Sequence, residues 1–184
     1  GDPATLGVLA TRLSGSSDVF HHQGGSTRSV NFLAAHDRFT LADLTAYRRK
    51  HNYDNGEDNR DGHGENFSWN HGVEGHTMAP AIRARRRDDI KAMLALLFLS
   101  RGMPMLTAGD EFGRTQNGNN NAYAQDNETT WLNWEKRDKG LETFTAALSS
   151  LRTQHPFLMS TSLLNGSAAN ADVPQDIFWF HANG

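Results

Sequence analysis

Apolar residues recur along this chain at two spacings, and each spacing predicts a different kind of element. From Ala4 to Leu13 the positions Leu6, Leu9, Ala10 and Leu13 fall on one helical face, with Asp2 and Pro3 suited to the cap and first turn and Gly15 closing the segment. Ser16 to Arg28 is rich in Ser, Gly and His and reads as a loop. Ser29 to Ala35 is then an apolar run of the kind expected for a strand hidden on both faces, and it stops on His36 and Asp37. Thr40 with Asp43 three residues later resembles a capping box; Leu41, Leu44 and Tyr47 follow as the buried face of a helix whose last turn is Arg48, Arg49, Lys50 and His51.

Asn52 to Ala79 is dense in Asn, Asp, Gly and His and too long for a simple connector, which points to a functional loop. Pro80 to Arg101 carries the clearest helical pattern, with Ile90, Met93, Leu94, Leu97 and Phe98 on a wide apolar face closed by Gly102. A second short apolar run, Met103 to Ala108, ends in Gly109, Asp110 and Glu111. After an Asn-rich stretch from Gln116 to Asn127 and the pair Trp131 and Trp134, a last helix is predicted over 139–154, with Leu141, Phe144, Leu148 and Leu151 on one face and His155 and Pro156 as its stop. Asp176 to His181, with Ile177, Phe178, Trp179 and Phe180, reads as an aromatic strand opening another sheet. Helices alternating with strands imply an α/β fold with a parallel sheet. If that sheet closes into a barrel, the acids at both strand ends share one rim; a barrel needs eight strands, and two good ones are visible here.

Composition narrows the classes. The 184 residues are 37% hydrophobic, enough for a core, while the mean hydropathy of -0.63 marks extensive polar loops. Lys and Arg number 18 against 21 Asp and Glu, so no global field attracts nucleic acid or an anionic membrane, and the knot of Arg83, Arg85, Arg86 and Arg87 reads as a helix start facing water. Without cysteine there is neither a disulfide framework nor a thiolate metal site, and a cytoplasmic location is the default expectation. The longest apolar run, Met93 to Leu99, is far short of the roughly 18 residues of a membrane span, and nothing at the N-terminus resembles a signal peptide. The first residue is Gly1 rather than methionine, which suggests a piece of something longer. His21 and His22 lack a third ligand at workable spacing, and Asp54, Glu57, Asp58 and Asp61 do not follow a calcium-loop pattern, so no metal is expected.

Candidate chemistry lies at the strand ends. His36 and Asp37 leave one strand and Asp110 and Glu111 the other, the places from which barrel enzymes assemble their sites. Asn119, Asn120, Asn121, Gln125, Asp126 and Asn127 offer uncharged donors and acceptors, and Tyr123, Trp131 and Trp134 offer flat apolar faces. Sugars require both.

At these residues the chain resembles a known family. Asn31 to Asp37 with Phe39, Thr40 and Leu41, then Lys50 to Asn52, Asn55 to Gly62, Gly102 to Gly113, Gly118 to Tyr123 and Gln125 to Asn127 resemble the bacterial glycogen debranching enzymes, isoamylase-like members of the α-amylase superfamily. The resemblance implies the last third of a (β/α)8 barrel over residues 1–155, with its seventh and eighth strands ending near Asp37 and Asp110, and the start of a C-terminal β domain over 156–184. It implies hydrolysis of α-1,6 branch linkages with retention, by a nucleophile and an acid/base carboxylate about 5 Å apart, both expected upstream of Gly1. Asp37 then matches the carboxylate that stabilises the transition state, His36 binds the same sugar, and Asn120, Asn121, Tyr123, Asp110, Glu111 and Trp131 are expected to bind substrate. No cofactor is implied, the expected partner is a branched α-glucan, and the truncated barrel is expected to self-associate. A non-catalytic glucan-binding module is the alternative. Arg38 stands where the family usually has glycine, and its guanidinium could pair with Asp37; His71 and Ala124 stand where the family often has cysteine.

Overall fold

The computed structural model describes residues 3–23, 26–164, 166 and 174–180. In chain order the elements are α1 (Pro3–Leu13), α2 (Ser17–Phe20), β1 (Val30–Asn31), α3 (Leu41–Leu44), α4 (Pro80–Leu99), β2 (Met103–Pro104), α5 (Lys139–Gln154) and α6 (Pro156–Met159). Tight 3-10 turns fall at His21–Gln23, Tyr53–Asn55, Asp110–Phe112 and Ala122–Ala124. The described residues divide into two compact units, one drawn from those within 1–31, 99–104 and 152–184, the other from 32–98 and 105–151.

The first unit is built on backbone groups captured by buried side chains. β1 and β2 pair in parallel, Val30 with Met103 and Asn31 with Pro104. The Asn31 amide donates to the Arg101 carbonyl at 2.8 Å. Arg101 donates to the carbonyls of Ser160 and Ser162, and Arg152 to those of Ser100, Gly102 and Leu158. Five N–H donors on a rigid fork let each guanidinium satisfy several irregular carbonyls at once. The expected loop over Ser16 to Arg28 contains α2 and a 3-10 turn, fixed by an Arg12–Asp18 ion pair at 2.6 Å. α1 forms as its pattern predicts, yet Leu6 and Leu9 remain exposed.

In the second unit, Ile90, Leu94, Leu97 and Phe98 of α4 form a core with Leu141 and Leu148 of α5, Leu41 and Ala34. Leu94 is wholly buried, and burial of each such side chain contributes about 2 kcal/mol. α5 occupies the predicted span, and the 138 position explains its start: one Asp138 carboxylate oxygen accepts from the N–H groups of Gly140 and Leu141, both at 3.0 Å.

Other predicted elements are shorter or absent. Of the run Ser29 to Ala35 only two residues are strand, and Val30, Phe32 and Leu33 are exposed rather than hidden on both faces. Of Met103 to Ala108, again two residues are strand. Among the described residues each strand has the other as its partner, and a ladder without further neighbours covers neither flank. Beyond the pairing the two runs stay side by side, the Thr107 hydroxyl donating to the Ala34 carbonyl at 3.1 Å. Thr40 caps α3 as predicted, accepting from Asp43 N–H at 3.1 Å, but the helix lasts one turn instead of reaching His51. The Leu44 and Ala46 carbonyls accept from Trp69 and Gly75, and the Glu74 carboxylate takes the N–H groups of Arg48 and Arg49. Arg86 does not face water; it is buried and donates to the carbonyls of Asn70, Val73 and Gly75. Residues 176–180 are not strand, and 181 lies outside the described residues. Over 156–164 there is α6 and one isolated antiparallel bridge, Ser26 with Ser162.

Candidate functional site

His36 and Asp37 sit in a turn between the end of the β1 run and the Thr40 cap, with both side chains exposed. The Asp37 carboxylate lies 3.5 Å from His63 Nε2. Arg38 does not take that role: its guanidinium donates to the Glu65 carbonyl at 3.4 Å. His63 carried no signal in the sequence, because it lies in an aperiodic loop and reaches Asp37 only through the fold.

That loop is held from behind by a clasp of neutral amides. Asn120 is fully buried; its amide donates to the His63 carbonyl at 2.9 Å and to Asn66 Oδ1 at 2.6 Å, while its oxygen accepts from Asn52 at 2.9 Å. Both of its N–H arms are therefore engaged within the protein. Asn121 donates to Asp61 at 2.8 Å, and Asn55 bridges Asp61, at 2.7 Å, to Asn119, which donates back to Asn55 at 2.8 Å. Lys50 completes the arrangement by placing its ammonium 2.6 Å from the Asp61 carbonyl, with those of Arg60 and Gly62 at 3.2 and 3.3 Å. It does for three carbonyls what a bound cation would do, a role hidden in the sequence by its place in an apparent helix end.

The acids after β2 face inward. Asp110 is almost wholly buried, and its Oδ1 accepts from the Leu41 N–H, the first of α3, at 2.9 Å. Its Oδ2 has no hydrogen-bond partner among the described residues. Burial pushes the Asp110 carboxyl up to about 7; the Leu41 N–H and Arg114 oppose the shift, while Asp43 and Glu111 add to it. Glu111 folds back onto the Gly109 N–H at 2.8 Å. Asp43, equally buried, accepts from the Thr115 hydroxyl and from the Gln116 N–H at 2.8 Å, and burial raises its pKa against those hydrogen bonds. Residues 110–116 are thus fixed to α3 from both sides.

Aromatic faces remain available. Tyr123 and Trp131 are exposed, with the Trp131 indole N–H donating to Asp126 at 3.0 Å, and exposed Trp134 leans on Phe112 with ring centroids 5.2 Å apart. Among the predicted substrate-binding residues, the structure therefore leaves Tyr123 and Trp131 open and commits Asn120 and Asp110 to the interior.

No protein-family model matches the chain. Its fold is similar to a part of the pullulanases. It is similar to the pullulanase of Bacillus acidopullulyticus with a TM-score of 0.60 and 24% identity, over 88% of this chain and 16% of that one. The pullulanase of Anoxybacillus sp. LM18-11 complexed with maltotetraose is similar with a TM-score of 0.58 and 25% identity, over 88% and 19% of the two chains. Sequence is more particular: the chain is 54% identical over 159 residues to the glycogen debranching enzyme of Salmonella typhi, and to that of Salmonella heidelberg, covering 86% of this chain and 24% of each relative. It is a homologue of the glycogen debranching enzymes over most of its length, and it spans about a quarter of the length of these curated relatives.

Proposed function

We propose that this chain is a segment of a debranching glycoside hydrolase that cleaves α-1,6 linkages of a branched α-glucan with retention. In this reading residues 1–155 belong to the last third of a (β/α)8 barrel and 156–184 open a β domain. Asp37 stabilises the oxocarbenium-like transition state, His36 binds the same sugar, and residues outside this sequence supply nucleophile and acid/base. The observation that carries the reading is the placement of Asp37: an exposed carboxylate at the end of a parallel strand run, faced by His63 and backed by the amide clasp. The likeness to a pullulanase complexed with maltotetraose supports an α-glucan as partner. A cytoplasmic location, where glycogen is stored, accords with this role; among the described residues no helix is long and apolar enough to cross a membrane.

Two measurements test the reading. The 184 residues alone release no reducing ends from a branched glucan, and robust release would overturn the assignment of the essential carboxylates to residues elsewhere. In the enzyme that contains this segment, Asp37→Asn lowers turnover at least a hundredfold, about 3 kcal/mol of transition-state stabilisation, with an unchanged thermal melt. Near-normal turnover would remove Asp37 from the site. The exposed rings of Tyr123 and Trp131 favour one second reading, glucan binding without catalysis. That reading is separated by retardation in glycogen gels together with full activity of the Asp37→Asn enzyme.

A further inference from the structure

Beside the N-terminal half of α4 the second unit carries a concavity of about 310 Å3. Its wall is strongly cationic, with Arg83, Arg86, Arg87, Lys136 and the imidazole of His76. Asp138 is the one acid lining it, and that carboxylate is already held by Arg87 at 2.7 Å and by the start of α5. With Arg87 paired to Asp138 and Arg86 committed to backbone carbonyls beside Glu74, Arg83 and Lys136 remain as cations without an ion pair among the described residues, in a chain whose net charge is -3. A concave wall of one sign focuses its field on whatever enters. Arg86 forms the floor of this concavity rather than a free charge. Its terminal nitrogens are taken by backbone carbonyls and it is more than nine-tenths buried, yet its Nε has no hydrogen-bond partner among the described residues.

A phosphate monoester brings between one and two negative charges near neutral pH and three acceptor oxygens, whereas a carboxylate brings one charge. Two cations without an ion pair among the described residues, Arg83 and Lys136, match the former. The volume is near the lower end for small-ligand sites, enough for one sugar ring bearing a phosphate and too little for an oligosaccharide. We infer that this cavity binds a phosphorylated monosaccharide, its phosphate held by Arg83 and Lys136 and its hydroxyls met by Thr77 and Asn117 on the same wall. The inference is independent of the role given to Asp37.

Isothermal titration of the 184-residue chain with glucose 6-phosphate, inorganic phosphate and glucose tests it. Glucose 6-phosphate binds saturably and at least tenfold more tightly than inorganic phosphate, and glucose does not bind. Arg83→Ala and Lys136→Ala, both at exposed positions, each weaken binding about tenfold with unchanged circular dichroism melts. Absence of saturable binding by either phosphate compound, or undiminished affinity in the double variant, would overturn the site. Equal affinity for inorganic phosphate and glucose 6-phosphate would overturn the sugar.

Discussion

Asp110→Asn is expected to make this protein more stable at pH 8 and to change it little at pH 4. In the folded chain the Asp110 carboxyl is pushed up to about 7 by burial, against an ordinary value of 3.8. Between those two values the folded state keeps a proton that the unfolded state has released, so the free energy of unfolding falls by about 1.4 kcal/mol for each unit of rising pH. Its stabilising contribution is therefore complete below 3.8 and is lost as pH rises through 7. A window of about three units amounts to roughly 4 kcal/mol at the alkaline end. Asparagine reproduces the protonated state: its oxygen keeps the Leu41 N–H, and a neutral amide nitrogen replaces the unpartnered Oδ2. The assay is urea unfolding of both proteins at half-unit steps from pH 4 to pH 9. The difference between them should be near zero at pH 4, grow in favour of the variant, and level off above pH 7. A difference that stays constant across this range would refute the account, because it would show Asp110 ionised, or protonated, in both folded and unfolded chains throughout.

Three further outcomes follow from described contacts. Lys50→Met removes the donor from the carbonyls of Arg60, Asp61 and Gly62; it should cost about 1–3 kcal/mol and speed proteolysis within 57–64, and an unchanged cleavage pattern would show the ammonium to be dispensable. Gly118→Ala puts a Cβ 2.6 Å from the Tyr47 ring at a φ of +79°, so the melting temperature should fall by roughly 4 °C or more, and an unaltered melt would contradict that packing. For Glu74 burial acts upward, but hydrogen bonds from His51, the Arg48 and Arg49 N–H groups and Asn70 prevail and hold the carboxyl down to about 2 from 4.5. Its contribution is present above pH 4.5 and fades as pH falls through 2, so wild type should lead Glu74→Gln at pH 6 and lose that lead at pH 2; a lead independent of pH would be inconsistent with the shift.

What the sequence revealed was local in origin. α4 and α5 could be read because apolar spacing and capping act within a few residues, and the Thr40 cap could be read for the same reason. The end of α3 could not, since it is decided by Trp69, Glu74 and Gly75, which arrive from elsewhere in the chain to take the backbone groups of 44–49. Strand length failed similarly: the apolar runs located both strands, whereas the extent of a ladder depends on neighbours. At the site, residue types at a strand end singled out His36 and Asp37, and both are exposed. The same logic placed Asp110 and Asn120 at a sugar, although depth in the fold, which composition does not encode, turned both toward the interior. Arg86 is the converse, a charge read as solvated that is the most enclosed of its group.

The amide clasp has a chemical lifetime. Asn55 is followed by Gly56, the neighbour that least hinders attack of the backbone nitrogen on a side-chain amide, the step by which asparagine ages to aspartate. While folded, the Asn55 side chain is engaged by Asp61, Asn119, the Asn121 carbonyl and Gln125, which restrains the attack. Once converted, the residue would present a carboxylate to Asp61 at a distance now bridged at 2.7 Å by an N–H, and attraction would become repulsion. Hence the loop that sets His63 opposite Asp37 is protected by the contacts it supports, and mass spectrometry of stored protein should find Asn55 intact in folded samples and deamidated after prolonged exposure to denaturant.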